Sequence, residues 1–235
     1  MTEEALPGGF VNVVVRVGAT VRRTPSPNAE FAHRVLAHLE RHGWPGAPRF
    51  LGTDDSGREI LSYVDGHVAW QPHPHSTRSL VAVARLLRAF HDLTAGTELA
   101  GDREVVCHND LSPKNTVYDS DLMPVAFIDW DLAAPGERVH DVAHVCWQYL
   151  ALGPGVTDPA ATGRDLRAIA DAYGLSDLSA LLDTVLWWQD RCWRGIEAEA
   201  SAGVAHAVRL RALGVVREIQ DQYRWTAGNR SLLEG

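Results

Sequence analysis

The sequence predicts an α+β protein with a small β-rich N-terminal part, residues 1–66, and a larger, mostly helical C-terminal part, residues 67–235. Three observations point there. β-branched runs broken by turn residues fill the first part. Apolar residues at three- and four-residue steps fill the chain from Gly163 onward. Between them, His67 to His75 is rich in proline and histidine and reads as a linker. With 235 residues the chain is long enough for one large domain, or for two small lobes around a shared cleft.

The elements follow in order. Val11 to Val17 is a β-branched run, interrupted at Gly18-Ala19 and resumed at Thr20 to Arg23, which predicts a hairpin. Ser26-Pro27 supplies a helix start, with serine as N-cap and proline at the first helical position. Phe31, Val35, Leu36 and Leu39 continue that helix, and Gly43 ends it. Phe50 to Gly52 and Glu59 to Val64 predict two strands around the turn Asp54-Asp55-Ser56-Gly57. Leu80, Val83, Leu87 and Phe90 mark an amphipathic helix. Short apolar runs separated by polar loops extend from Val105 to Asp131, and three helical patterns occupy Gly163 to about Trp225.

Composition narrows the function classes. Hydrophobic residues make up 46% and charged residues 22%, which excludes a disordered or fibrous chain. The net charge of -8 argues against general binding to nucleic acid or to an anionic membrane. Cys107, Cys146 and Cys192 form no metal-ligand spacing and no disulfide framework, so reduced thiols in a cytoplasmic protein are expected. Met1 to Pro7 lacks the pattern of a signal peptide, and no apolar run approaches the ~18 residues of a transmembrane helix. Gly-x-Ser-x-Gly, Walker and Rossmann patterns are absent, which disfavours hydrolase, P-loop and dehydrogenase chemistry.

The chemistry concentrates in Val105-Val106-Cys107-His108-Asn109-Asp110-Leu111-Ser112-Pro113-Lys114-Asn115, followed by Val125-Ala126-Phe127-Ile128-Asp129-Trp130-Asp131. An apolar strand enters a polar loop, and a second apolar strand ends in an acidic pair. Phosphoryl transfer from ATP needs such a set. A carboxylate must orient the attacking hydroxyl and accept its proton, a role that suits Asp110. Mg²⁺ takes hard oxygen ligands, which suits Asn115 and Asp129.

These residues carry a resemblance. His108-x-Asp110-x4-Asn115 is similar to the catalytic loop of eukaryotic-like kinases, and Asp129-Trp130-Asp131 stands where those kinases have a metal-binding Asp-Phe-Gly. The Ile-Asp-Trp-Asp form, the short interval between the motifs and Asp141 further on resemble the aminoglycoside phosphotransferase and choline kinase group. The likeness runs from about Gly8 to Tyr149. It implies a two-lobed protein-kinase-like fold and an ATP- and Mg²⁺-dependent kinase of small hydroxylated or amino compounds. In that frame His108 orients the catalytic loop. Asp141 either holds that loop through its backbone or is a plain helix-start charge. Asp131 is either a second metal contact or a solvated acid.

The same resemblance assigns the nucleotide half. Gly8-Gly9 looks like the phosphate-covering turn. The family's strand lysine is replaced within Thr20-Val21-Arg22-Arg23, with Arg22 the first choice because it alternates with Thr20, and Arg23 the alternative. Glu30 or His33 would be the partner of that cation. Ser62 and Val64 fall in the segment that resembles the adenine-binding hinge. On the helix from Leu178 to about Glu199, Asp183, Trp187, Asp190, Arg194 and Glu197 share one face. They form either a site for an amine-bearing or sugar-like substrate or a solvated face of intrahelical charge pairs. The partners expected are therefore a nucleotide and a small-molecule acceptor. A catalytically silent nucleotide-binding regulator is the alternative, motivated by the missing lysine.

Overall fold

The structure, a computed structural model, describes residues 3–6, 14–69 and 75–235. A five-stranded antiparallel sheet holds Glu4–Ala5 (β1), Val15–Val17 (β2), Thr20–Arg23 (β3), Phe50–Thr53 (β4) and Glu59–Ser62 (β5), in the order β1-β2-β3-β5-β4. Of the expected hairpin, residues 11–13 lie outside the described residues; the remainder is β2–β3, turning at Gly18, whose φ of +61° suits glycine. Asp54 builds the next turn: its Oδ1 accepts from the N–H groups of Ser56 and Arg58, both at 2.9 Å.

Helix α1 spans Ala29–Arg41 and buries Val35, Leu36 and Leu39. It starts two residues later than Ser26-Pro27 predicts, with Asn28 at the N-cap and no side-chain cap. Asn28 is committed elsewhere: its amide donates to the carbonyls of Asp131 at 3.0 Å and Ala133 at 2.9 Å. Gly43 follows the helix at φ +67°, as expected of a C-terminal glycine.

His67–Val68 (β6), Thr116–Tyr118 (β8) and Pro124–Phe127 (β9) form a three-stranded sheet in the order β6-β8-β9. Val105–Cys107 (β7) pairs with Ala134–Gly136 (β10). Helix α2, Thr77–Thr94, buries Leu80, Val83, Leu87 and Phe90, the four residues that mark it in the sequence. Each such side chain contributes about 1.5–3 kcal/mol on burial. Gly66, at φ +142°, has no room for a side chain, since a Cβ there would lie 2.5 Å from the Tyr118 carbonyl oxygen.

The remaining helices are Arg138–Tyr149 (α3), Pro159–Tyr173 (α4), Leu178–Ser201 (α5), Ala205–Ala212 (α6), Val215–Gly228 (α7) and Arg230–Glu234 (α8). Asp158 and Asp177 cap α4 and α5 by accepting from Ala161 and Ala180, each at 2.9 Å. The last part of the chain is more broken than three helical patterns imply, because Gly203 and Gly214 take positive φ and separate α5, α6 and α7. Leu181, Leu182 and Val185 are buried on α5, and Cys192 on the same helix is half-buried.

The chain divides into two compact units. One is Met1–Pro74 with Arg85–Asp141, the other His75–Ala84 with Val142–Gly235. This cut groups residues 105–131 with the N-terminal sheet, while the boundary expected after Gly66 follows composition along the chain. No helix among the described residues is long and apolar enough to cross a membrane.

Candidate active site

Strand β7 is apolar and fully buried, so it delivers His108 to the start of the loop at a fixed height. The loop then depends on one carboxylate. Asp141, in the first turn of α3 and with no exposed surface, accepts from the backbone N–H of His108 at 2.6 Å and of Asn109 at 2.8 Å. Buried polar groups must be paired, and here the pairing shapes the backbone: Asn109 sits at φ +64°, a conformation costly for a non-glycine residue. The Asn109 amide also donates to the Leu132 carbonyl at 2.9 Å. Of the two roles open to Asp141, loop-holding is the one its bonds perform.

Asp110 comes next. The Asn115 amide Nδ2 donates to its Oδ2 at 2.7 Å and to its carbonyl at 2.8 Å. The five-residue step therefore closes into a ring that aims the carboxylate. His108 is buried and its Nε2 lies 3.1 Å from the Ile128 carbonyl, tying the loop to the end of β9. Ile128 in turn donates to the Asn115 carbonyl at 2.9 Å, so Asn115 and Asp129 stand at adjoining strand ends. Asp129 has φ +66° and is 46% exposed. Trp130 anchors that turn: it is buried, donates to the Phe127 carbonyl at 3.0 Å and meets Phe90 edge-on at 4.8 Å.

The donor set suits a divalent cation. Asp129 offers an exposed carboxylate. The Asn115 Oδ1 has no donor among the described residues, because its amide nitrogen faces Asp110. A carboxylate and an amide oxygen, without histidine or thiolate, match the ligand preference of Mg²⁺.

Around the sheet the outcome differs from expectation. Arg22 does lie with Thr20, donating to its Oγ1 at 2.6 Å, and its nearest acid is Asp54 at 3.9 Å. That face of β3 does not reach Asp129. Arg23, on the opposite face, bonds Asp129 Oδ1 at 2.8 Å and both oxygens of Asp131, at 2.5 and 3.2 Å. Burial works against its charge, but Asp131 and then Glu59 outweigh that and hold its pKa above the ordinary value. Asp131 is thus an ion-pair partner of Arg23. Neither does Glu30 meet Arg23: it is exposed, and the acid beside Arg23 is Glu59 on β5. Cross-strand pairing of Arg23 with Glu59 was the overlooked signal, legible only once the β3–β5 register is known.

Gly8 and Gly9 lie outside the described residues. Ser62 is engaged on both sides by Arg49, donating through its N–H at 2.9 Å and accepting at its hydroxyl at 2.8 Å. Val64 has no backbone hydrogen-bond partner among the described residues, and with Ser62 it borders a groove shared with Trp44, Pro45 and Ala47. In the second unit, Trp187 is 43% exposed. Asp183 is paired with Arg230 at 2.5 Å, Asp190 with Arg194 at 2.8 Å and Glu197 with Arg211 at 3.1 Å. The acids of that face are each paired, Asp190 within its own helix and Asp183 and Glu197 with arginines of other helices.

His91 lies behind the loop, its Nε2 3.1 Å from Asp141, with no exposed surface. Burial pushes its pKa below 6.5, and the Asp141 hydrogen bond only partly opposes this. Burial also disfavours the charge of Asp141, but the His91 bond leads the contacts that hold its carboxyl below 3.8. Both signs agree. Below pH 6.5 the unfolded chain takes up a proton at His91 that the fold refuses, and the contribution of Asp141 is lost as pH falls through its lowered pKa. Thermal unfolding midpoints should therefore fall as pH drops from 7.5 toward 5, with a shallower slope in His91→Gln; an unchanged slope would remove His91 as the source.

The sequence profile of the phosphotransferase enzyme family matches residues 2–104 and 96–182. Trifolitoxin immunity protein of Rhizobium leguminosarum bv. trifolii is 32% identical over 197 residues, 74% of this chain and 75% of that protein. Among solved structures, aminoglycoside phosphotransferase APH(3'')-Id of Streptomyces rimosus in complex with ADP and streptomycin superposes with a TM-score of 0.61 at 17% identity, covering 79% of this chain and 90% of that one. Choline kinase LicA of Streptococcus pneumoniae superposes with a TM-score of 0.60 at 12% identity, covering 97% and 94%. At these identities the superpositions establish the fold, which is protein-kinase-like.

Proposed function

The chain belongs to the phosphotransferase enzyme family, and on that premise we propose that it transfers the γ-phosphoryl group of ATP to a hydroxyl of a small molecule. The observation that carries this reading is the ring formed by Asp110 and Asn115, closed at 2.7 Å on a loop that Asp141 holds. With Oδ2 occupied by Asn115, the second oxygen of Asp110 is left to receive the proton of the acceptor hydroxyl. As the hydroxyl oxygen bonds to the γ-phosphorus, the bond to ADP breaks and the proton passes to Asp110. Asp129 and Asn115 would hold Mg²⁺, which when bound neutralises phosphate charge. Arg23, fixed beside Asp129, adds a permanent positive charge toward the same end. Positioning and charge neutralisation supply most of the rate.

The acceptor class we favour is an antimicrobial compound, in the cytoplasm where ATP is held. The relative named for immunity to trifolitoxin and the structural neighbour holding streptomycin both support this choice. The test is direct. Purified protein with Mg²⁺ and ATP is offered aminoglycosides, macrolides, amino alcohols and hydroxylated peptide antimicrobials, and ADP release is followed together with the mass of the acceptor. At least one acceptor should gain a phosphoryl group in step with ADP formed. Binding of Mg·ATP with no product from any acceptor would instead favour a nucleotide-binding regulator, the reading that the arginine in place of lysine supports.

A further inference from the structure

We propose that Glu59 and His33 are the positioning residues of Arg23, a carboxylate–imidazole pair on β5 and α1 that aims one guanidinium at Asp129. The inference rests on the reading above only in taking that guanidinium to serve the phosphates.

Register comes first. β3 and β5 pair antiparallel with Arg23 opposite Glu59, which places the two side chains on one face of the sheet. Glu59 is 1% exposed, so its charge has to be matched by partners in place. Its two oxygens are divided between them. Oε1 accepts from Arg23 Nε, and Oε2 lies 2.6 Å from His33 Nε2. The His33 ring is itself held, stacked on Phe50 with centroids 3.6 Å apart and planes 14° off parallel. Phe50 on β4 thus holds His33 on α1, His33 holds Glu59 on β5, and Glu59 holds the inner nitrogen of one arginine.

The geometry of guanidinium does the rest. The group is planar, so fixing Nε and its plane fixes where Nη1 and Nη2 point. They point at Asp129, 2.8 Å away, and at Asp131. A lysine has one point of charge on a flexible stem and cannot hold Glu59 with one end while presenting donors to Asp129 with the other. Arginine at this position is thus coupled to a buried acid on the neighbouring strand, whereas Glu30, in the first turn of α1, stands exposed and apart.

The test reads Arg23 itself. In protein labelled with ¹⁵N, the Arg23 Nε–Hε resonance is assigned by its loss in Arg23→Lys. Wild-type protein should show this proton downfield and slow to exchange. Glu59→Gln should move it upfield and speed exchange by about tenfold or more, the scale of a lost coupled pair. His33→Phe, which keeps a ring on Phe50 but loses the nitrogen, should act in the same direction and less, and His33→Gln should restore part of the protection. Calorimetry supplies the second arm. Glu59→Gln and Arg23→Lys should each weaken Mg·ATP binding about tenfold, and the double variant should be no weaker than Arg23→Lys alone. An unchanged resonance in Glu59→Gln, or losses that add in the double variant, would overturn the proposal. A wild-type protein that binds no nucleotide would sink the phosphotransferase reading while leaving the resonance to decide this one. Should Glu59→Gln fail to fold, the two His33 variants decide it.

Discussion

Asp110→Ala is expected to lower kcat by roughly 10²–10⁴-fold, the range for removal of a positioned general base. Affinity for Mg·ATP should stay near wild type, because Asp110 is bonded to Asn115 and touches neither Arg23 nor Glu59 among the contacts described. Asp110→Asn separates the two tasks of the side chain. It preserves size but has no proton-accepting carboxylate, so it should be nearly as slow as alanine. Steady-state kinetics with a confirmed acceptor and calorimetry with nucleotide measure both quantities. Wild-type turnover in Asp110→Ala would remove this residue from the mechanism, and a parallel loss of nucleotide affinity would assign it to binding.

Asp141→Ala should have the largest effect on stability. The wild-type carboxylate accepts from His108 and Asn109 and faces His91, and Asp141, His108 and His91 have no exposed surface. Alanine leaves two backbone donors unpaired and leaves Asn109 in its left-handed conformation held only by its own amide bond to Leu132. Breaking one side of a buried charged network costs about 3–5 kcal/mol. For a chain of this size that corresponds to a Tm lowered by roughly 10 °C. Urea unfolding would measure it. A loss under about 1 kcal/mol would mean that the loop holds itself and that Asp141 acts as an ordinary helix-end charge.

The arrangement of the proposed catalytic segment was legible because its geometry is local. A buried three-residue strand, a five-residue step from Asp110 to Asn115 and a second strand ending at Asp129 leave the backbone few ways to bring these groups together. Helix α2 was legible for the same reason, since its apolar spacing matches the face it buries. Misreadings arose where a residue's partner is distant in sequence. Arg22 and Arg23 are chemically alike neighbours, and alternation along a strand tells which residues share a face without telling which face meets Asp129. Spacing on α5 left open either a substrate site or a face of intrahelical charge pairs, and Arg230 and Arg211, from other helices, meet two of its acids. Asn28, read past in favour of Ser26, serves carbonyls more than a hundred residues further along the chain.

The order of residues was thus sufficient for the class of fold and for picking out the loop proposed here to do the chemistry. Folding in three dimensions chose which arginine faces that loop, which acid holds the arginine, and which charges cancel before any ligand arrives. The difference is one of range. Hydrophobic period and turn chemistry act over a few residues and leave their mark in composition, whereas an ion pair across strands depends on register, which forms when distant segments pack.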